Sequence, residues 1–266
     1  LTDISYYHLS IYFKHFQDDN NQFLRNIDFE DIWKIYVFDK KLRLLLLDIL
    51  ERIEKSFKCR VIREISLLTG SSRWIGNIEH FQNVKNYHNK TIPILADLEY
   101  SKELYMESYF QKYEKDTTPP AWIIFESLTF GQSVMIFRQL KNTYQKTIAQ
   151  MYYLPSRTIG PWMYALSIIR NICAHHSRLW NKEIVVHLHI QNKEFEKCFS
   201  KEQQNRLFNY LIVIQIFLSS FNDKSDWVQN IQDLVDEYKI NISHMGFPDD
   251  WLYRLKKTRD ITISKK

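Results

Sequence analysis

Residues 170–181 read RNICAHHSRLWN and concentrate side chains able to do chemistry. Two arginines can clamp phosphate oxygens through paired N–H donors. Two adjacent histidines can take or give a proton near neutral pH. A cysteine can act as nucleophile or metal ligand once it is ionised. Three chemistries are therefore open: a zinc site, a cysteine nucleophile with a histidine base, and metal-free cleavage of a phosphodiester.

If the stretch is helical, a wheel at ~100° per residue sorts these groups. Trp162, Ala165, Leu166, Ile169, Ile172, Cys173, His176, Leu179 and Trp180 fall on one apolar face. Asn171, His175, Arg178 and Lys182 fall on the other, with Arg170 on its flank. The wheel predicts a packed His176 and an exposed His175, one turn after Asn171 and one before Arg178. Zinc needs three or four ligands at compatible spacing. Cys173 and His176 stand at i,i+3 and His187 and His189 could join them, but His175 points elsewhere and no second cysteine is near. Cys173 on the apolar face reads as an inert, buried thiol. Metal-free RNA cleavage needs a base for the 2′-OH, an acid for the leaving 5′-oxygen and positive charge on the phosphorane. Arg170 and His175 are the right types, yet ~140° apart on an ideal helix. One chain is half a site, and two chains about a two-fold axis would complete it.

The elements that must position these groups are helices. The 266 residues contain only 5 Gly and 6 Pro, too few to punctuate a many-stranded sheet. The segment 29–68 reads as one helix of roughly 60 Å at ~1.5 Å per residue. Asp28 is its N-cap, Gly70 its stop, and Ile35, Phe38, Leu42, Leu45, Ile49, Ile53 and Phe57 form its apolar stripe. Glu51–Lys55 and Glu54–Lys58 are i,i+4 pairs suited to an exposed face. Residues 71–100 read as short helices and loops, and a second helix spans Ser101 to Glu114. After the break at Asp116–Pro120 the periodicity predicts one helix over 120–141 with Gly131 in its middle, at a cost of roughly 1 kcal/mol against Ala. Pro161 opens the helix that bears the motif. VVHLHI at 185–190 alternates like a strand, 202–221 is a strongly apolar helix, Ser225 caps a further short helix, and HMGFPDDW makes a turn. The chain reads as all-α, one integrated unit whose plausible division near 117 separates an N-terminal portion, 1–117, from a motif-bearing portion, 118–266.

The net charge of +5 sets 36 basic against 31 acidic residues, which permits an anionic partner without demanding one. Three separated cysteines (Cys59, Cys173, Cys198), the lack of any ~20-residue apolar run and the lack of a signal-peptide pattern lead to a cytoplasmic, membrane-free expectation. The chain starts at Leu1 rather than Met, so a further N-terminal segment is expected. There is no Gly-rich phosphate loop and no carboxylate cluster for Mg²⁺, and no cofactor is expected.

Arg170 to His175 fits the R-x4-6-H pattern, with a polar residue after Arg, of HEPN-domain ribonucleases. The pattern is loose, since Arg73 to His80 also fits it. The full RNICAHHSRLWN resembles the signature of the Abi-like (AbiD/AbiF) abortive-infection proteins of bacteria, and four further blocks follow in order: ISYYHLSIYFKHF at 4–16, FDKKLRLLLLDILERIEKSFKCRV at 38–61, PAWIIFESLTFGQSVMIFRQLK at 120–141 and MGFPDDW at 245–251. The first block departs from its relatives, with His8 after Tyr7 and Ile11 in place of a glycine. The resemblance implies a HEPN-like helical bundle with additional N-terminal helices. It also implies a homodimer joined through the motif helix, and a metal-independent endoribonuclease of anti-phage defence with RNA as substrate. Carried over, Arg170, Asn171 and His175 are catalytic, and His176, Arg178 and Asn181 belong to the extended, RNA-contacting signature; no metal is implied. The rival readings are a non-cleaving RNA-binding or scaffold protein on the same fold, and a toxin held by a protein or non-coding RNA partner.

Overall fold

The computed structural model describes residues 4–24, 27–113, 118–190, 193–221 and 225–265. The chain enters through α1 (Tyr6–Phe13) and then α2 (Phe29–Thr69), the 41-residue helix on which the rest is assembled. A capping box starts α2: the Asp28 carboxylate accepts from the Asp31 amide at 2.9 Å, and the Asp31 carboxylate accepts from the Asp28 amide at 3.3 Å. Gly70 ends it at φ +65°, where a Cβ would be strained. The predicted stripe is buried along its length, apart from Leu45 at its half-buried margin.

Residues 71–98 form 3₁₀ turns at Trp74–Gly76 and Ile78–His80, α3 (Val84–Asn86), a π-type turn at Tyr87–Thr91 and α4 (Ile92–Leu98). α5 (Leu104–Lys112) is the helix expected over 101–114; Glu114 and most of the expected break lie outside the described residues. The single helix expected over 120–141 is instead two, α6 (Ala121–Ser127) and α7 (Phe130–Gln139). Leu128 is extended, and Thr129 starts α7 with a second capping box to Gln132. Local capping chemistry thus outweighs the apolar period, and Gly131 sits in a first turn, free of the mid-helix cost.

α8 (Asn142–Gln150) leads to the motif helix α9 (Ser156–Ala174). Pro161 does not open α9 but lies inside it, with Pro155 at the N-cap position. Gly160 is where α7 crosses: a Cβ there would stand 2.8 Å from Arg138 Cγ. The alternating 185–190 segment forms no strand, and its His187 and His189 are exposed. α10 (Lys193–Glu196) is one turn, whereas all 14 residues of α11 (Leu207–Ser220) are buried. α12 (Trp227–Tyr238) starts from Asp226 rather than Ser225, and α13 (Trp251–Ile263) follows the predicted C-terminal turn.

α2 packs against α1, α6, α7, α8, α9, α11 and α12, while α9 also meets α7, α8 and α11, and α11 carries α13 on its far side. One continuous apolar core draws on both sides of residue 117. The fold is all-α: among the described residues the extended pairings are two isolated bridges, Gln17 with Phe23 and Phe81 with Leu140. No described helix is long and apolar enough to cross a membrane.

Candidate functional site at the end of the motif helix

α9 stops in the middle of the signature. The Ser177 amide donates to the Ile172 carbonyl (3.0 Å) and the His176 amide to the Cys173 carbonyl (3.2 Å), the paired bonds of a Schellman cap. His175 is the C-cap residue and His176 occupies the left-handed position at φ +55°, which glycine usually fills. The wheel therefore holds through Cys173 and fails beyond it. Trp162, Ala165, Leu166, Ile169 and Cys173 are buried as predicted and His175 is exposed, but His176 is exposed too rather than packed in the seam. Burial, with the Asp39 carboxylate behind it, pushes the Cys173 thiol up to about 12, which suits a structural cysteine. His176, His187 and His189 are exposed while Cys173 is buried, and no set of three metal-ligating side chains assembles among the described residues.

The loop after the cap is fastened by a residue 140 positions upstream. Asp39, fully buried on α2, accepts from the Leu179 amide (3.1 Å) and the Trp180 amide (2.6 Å). It also accepts from the Tyr12 hydroxyl (2.5 Å) and pairs with Arg43 one turn away. Burial raises the Asp39 carboxyl; the guanidinium, the hydroxyl and the two amides pull it back. Leu179 and Trp180 are buried, as the wheel suggested, but through this tether rather than helical phase. The Trp180 ring is near-parallel to those of Tyr12 and Phe16.

Arg178 is not a free phosphate clamp. Its guanidinium turns toward the N-terminal segment, donating to the Ile11 carbonyl (3.3 Å) and to His15 Nε2. His15 Nδ1 lies 3.1 Å from Asn181 Nδ2, and Arg206 donates to both the carbonyl and Oδ1 of Asn181 at 2.9 Å each. Burial, then the nearby Arg178, His244 and Arg206, lower His15 to about 4, so the ring is neutral and able to accept. Of the three residues expected to contact RNA, Arg178 and Asn181 are half-buried and engaged by neighbours within the chain, while His176 is exposed.

Arg170 leaves α9 on the side facing α2. Its Nε stands 3.8 Å from Glu54 Oε2, and its Nη1 donates to Asn171 Oδ1 at 3.3 Å. Glu54 is held in turn by Lys58 (2.8 Å), whose ammonium also donates to the Leu128 carbonyl (2.7 Å). Both side chains of that pair are only 13% exposed, so Glu54–Lys58 is an internal brace and not the surface pair its spacing suggested; Glu51–Lys55 is the exposed one. The arginine itself remains 35% exposed. The second R-x6-H match is dispersed: Arg73 reaches Tyr109 and His80 bonds Tyr144.

The spacing of the motif gave no sign of Glu54, His15 or Arg206. Asp39 and Arg43 could be found only as the i,i+4 polar pair within FDKKLR, where a charge on an otherwise apolar stripe marks a buried partner. A family model described as Abi-like protein matches residues 1–181, two thirds of the chain, and its match ends on Asn181, the last residue of the signature. The chain belongs to the Abi-like protein family. Membership suggests a function related to abortive infection. The Abi-like match takes in α1, the Asp39–Arg43 pair, the Glu54 brace and the capped end of α9, whereas α11, α12, α13 and the 245–251 block lie beyond it. No curated protein and no solved structure matches the chain.

Proposed function

We propose that this Abi-like protein is a metal-independent endoribonuclease whose motif-bearing portion, 118–266, is a HEPN-like bundle, acting as a homodimer in the cytoplasm during anti-phage defence. The observation that carries this reading is the end of α9. Arg170, Asn171 and His175 emerge there together, with Arg170 braced by Glu54 yet still open to solvent, and His175 exposed at the cap. A helix C-terminus carries negative partial charge, so an RNA phosphate is favoured there only where a fixed cation meets it. Arg170 supplies that cation.

In the proposed reaction one His175 takes the 2′-OH proton as the 2′-oxygen attacks phosphorus. The bond to the 5′-oxygen breaks, and the His175 of the second copy protonates that leaving oxygen. The products are a 2′,3′-cyclic phosphate and a 5′-hydroxyl, with no net consumption of protons. The two Arg170 guanidiniums hold the phosphorane oxygens, and Asn171 fixes the arginine. The roles fall to two copies because a single α9 end offers one histidine and one arginine of this kind.

Purified protein is expected to cut RNA in EDTA, and Arg170→Ala or His175→Ala to abolish cutting with an unchanged melting curve. Cutting retained by both variants would overturn the reading. Salt-sensitive RNA binding with no product in the wild type would instead point to the non-cleaving rival.

A further inference from the structure

The net charge of +5 conceals an uneven distribution. Between Glu126 and Glu183 the chain has no carboxylate for 56 residues, where its mean density of 31 acids in 266 would place about six. The same stretch holds seven lysines and arginines, so it carries +7 and the rest of the chain −2. It folds as α7, α8 and α9, with α7 and α8 both packed on α9, and runs on into the signature. Charge of one sign gathered on neighbouring helices draws an anionic partner. The surrounding elements cancel little of it. The π-type turn against α7 brings His88 and Lys90. Glu54 is tied to Arg170, and Glu79 and Lys141 act together on the His80 ring. Arg138 and Arg157 are exposed, and among the described residues neither bonds a carboxylate.

This face has the shape of a track. α9 shows solvent one stripe at three- and four-residue spacing: Arg157, Pro161, Tyr164, Ile168, Ile172 and His175. Arg157 and Tyr164 are its exposed members ahead of the cap, and it ends on His175, the histidine to which the proposed function gives the proton transfers. Arg138 crosses onto the stripe from α7. The bare backbone of Gly160 leaves the notch in which its stem lies, since a Cβ there would meet Arg138 Cγ. A glycine inside a helix costs about 1 kcal/mol against alanine, and the crossing arginine gives that cost a purpose. The guanidinium emerges 5.6 Å from the centre of the Tyr164 ring, and that tyrosine is still 39% exposed.

An exposed tyrosine beside an arginine, in line with unpaired cations, offers what a single strand needs: planes on which a base stacks and donors for its phosphates. A second copy laid on the same stripe would bring like charges together, and a duplex keeps its base faces stacked away from Tyr164. From Tyr164 to His175 is ~16 Å of helix, room for about five nucleotides at the ~3.4 Å rise of a stacked strand.

We infer that the outer stripe of α9 is a track for single-stranded RNA leading to the His175 end, with one base stacked on the Tyr164–Arg138 pair and phosphates held by Arg138 and Arg157. It rests on the RNA-cleaving reading for its biological role, but its test is binding alone. Affinity is measured by fluorescence anisotropy on the full-length His175→Ala protein, with a labelled RNA of about twelve nucleotides and an abasic ribose-phosphate strand of equal length. Tyr164→Ala should weaken the RNA at least fivefold and leave the abasic strand unchanged, while Tyr164→Phe keeps the parent affinity for both. Arg157→Gln should weaken both strands and lower the slope of log affinity against log salt by about 0.7, the value of one single-strand phosphate contact. Both positions are exposed, so neither change threatens the fold. Unchanged RNA affinity in Tyr164→Ala, or an equal loss for the abasic strand, would overturn the track. Poly-glutamate bound with the same dependence on Tyr164 would assign the face to an acidic protein, and a dimer split by Arg157→Gln at constant RNA affinity would assign it to a second copy; either overturns the inference. Track variants that weaken binding, in a protein whose wild type makes no product, would sink the cleavage reading and leave the track standing. Wild-type cutting with RNA affinity untouched in those variants would do the reverse.

Discussion

Asp39→Asn tests whether the tether between α2 and the signature is what shapes the site. Asp39 is fully buried and Arg43 only 6% exposed at its side chain, so the pair is cut off from water. Removing one charge from a buried pair costs about 3–5 kcal/mol, because the other is left uncompensated. Asparagine keeps one acceptor oxygen for four donors (Tyr12, Arg43 and the amides of Leu179 and Trp180) and turns an N–H toward the rest. A domain is stable by only about 5–15 kcal/mol, so the variant should lose roughly a fifth or more of that margin in urea unfolding. The double change Asp39→Leu with Arg43→Met removes both charges and should recover the part of the loss that comes from the unpaired guanidinium. It still leaves two buried amides without an acceptor, at about 1–3 kcal/mol each. Amide exchange at Leu179 and Trp180 should therefore remain fast in the double variant even where the global stability recovers in part. A single variant that loses less than about 1 kcal/mol, or a double variant with native protection at 179 and 180, would refute the tether.

Three further outcomes follow from the same geometry. His176→Gly should raise stability by about 0.5–1 kcal/mol and His176→Val lower it by a similar amount, since a left-handed position favours glycine; melts shifting in the same direction would contradict the cap. Glu54→Gln should slow RNA cleavage by roughly tenfold, about 1.4 kcal/mol, by loosening Arg170, measured below the lowered melting temperature that the unpaired Lys58 brings, and an unchanged rate would remove Glu54 from the site. His15 holds its proton less tightly folded (about 4) than unfolded (6.5), so its contribution is complete above pH 6.5 and is lost as pH falls toward 4. The shift alone would be worth ~3 kcal/mol, cut to about 1 kcal/mol by the partial exposure of the ring. Urea midpoints of wild type and His15→Gln should diverge over that window and stay parallel above it; parallel behaviour throughout would deny the neutral ring.

Much of the fold was legible because it rests on local rules. The 41-residue helix announces itself through Asp28, Gly70 and a buried stripe at three- and four-residue spacing, and α11 through an unbroken apolar run. The failures also have local causes. Thr129 and Gln132 cap a new helix inside a period that looked continuous, and Pro161 is carried within α9 although proline usually marks a start. α13 was missed because its apolar positions are sparse among charges and find their partners on α11 and α10, far from it in sequence.

By itself the sequence determined the all-α class, the axis of the fold, the Abi-like membership and the inward turn of Cys173, since each depends on residue type and period. Only the tertiary structure decided where the signature stops being a helix. Nothing in the wheel could say that a Schellman cap ends α9 at Ala174, that His176 is therefore exposed, or that Arg178 and Asn181 face His15 and Arg206. The path of the chain beyond the cap depends on Asp39 and His15, which lie more than a hundred residues upstream. A buried carboxylate chooses its donors by proximity in space, and spacing along the chain does not record that.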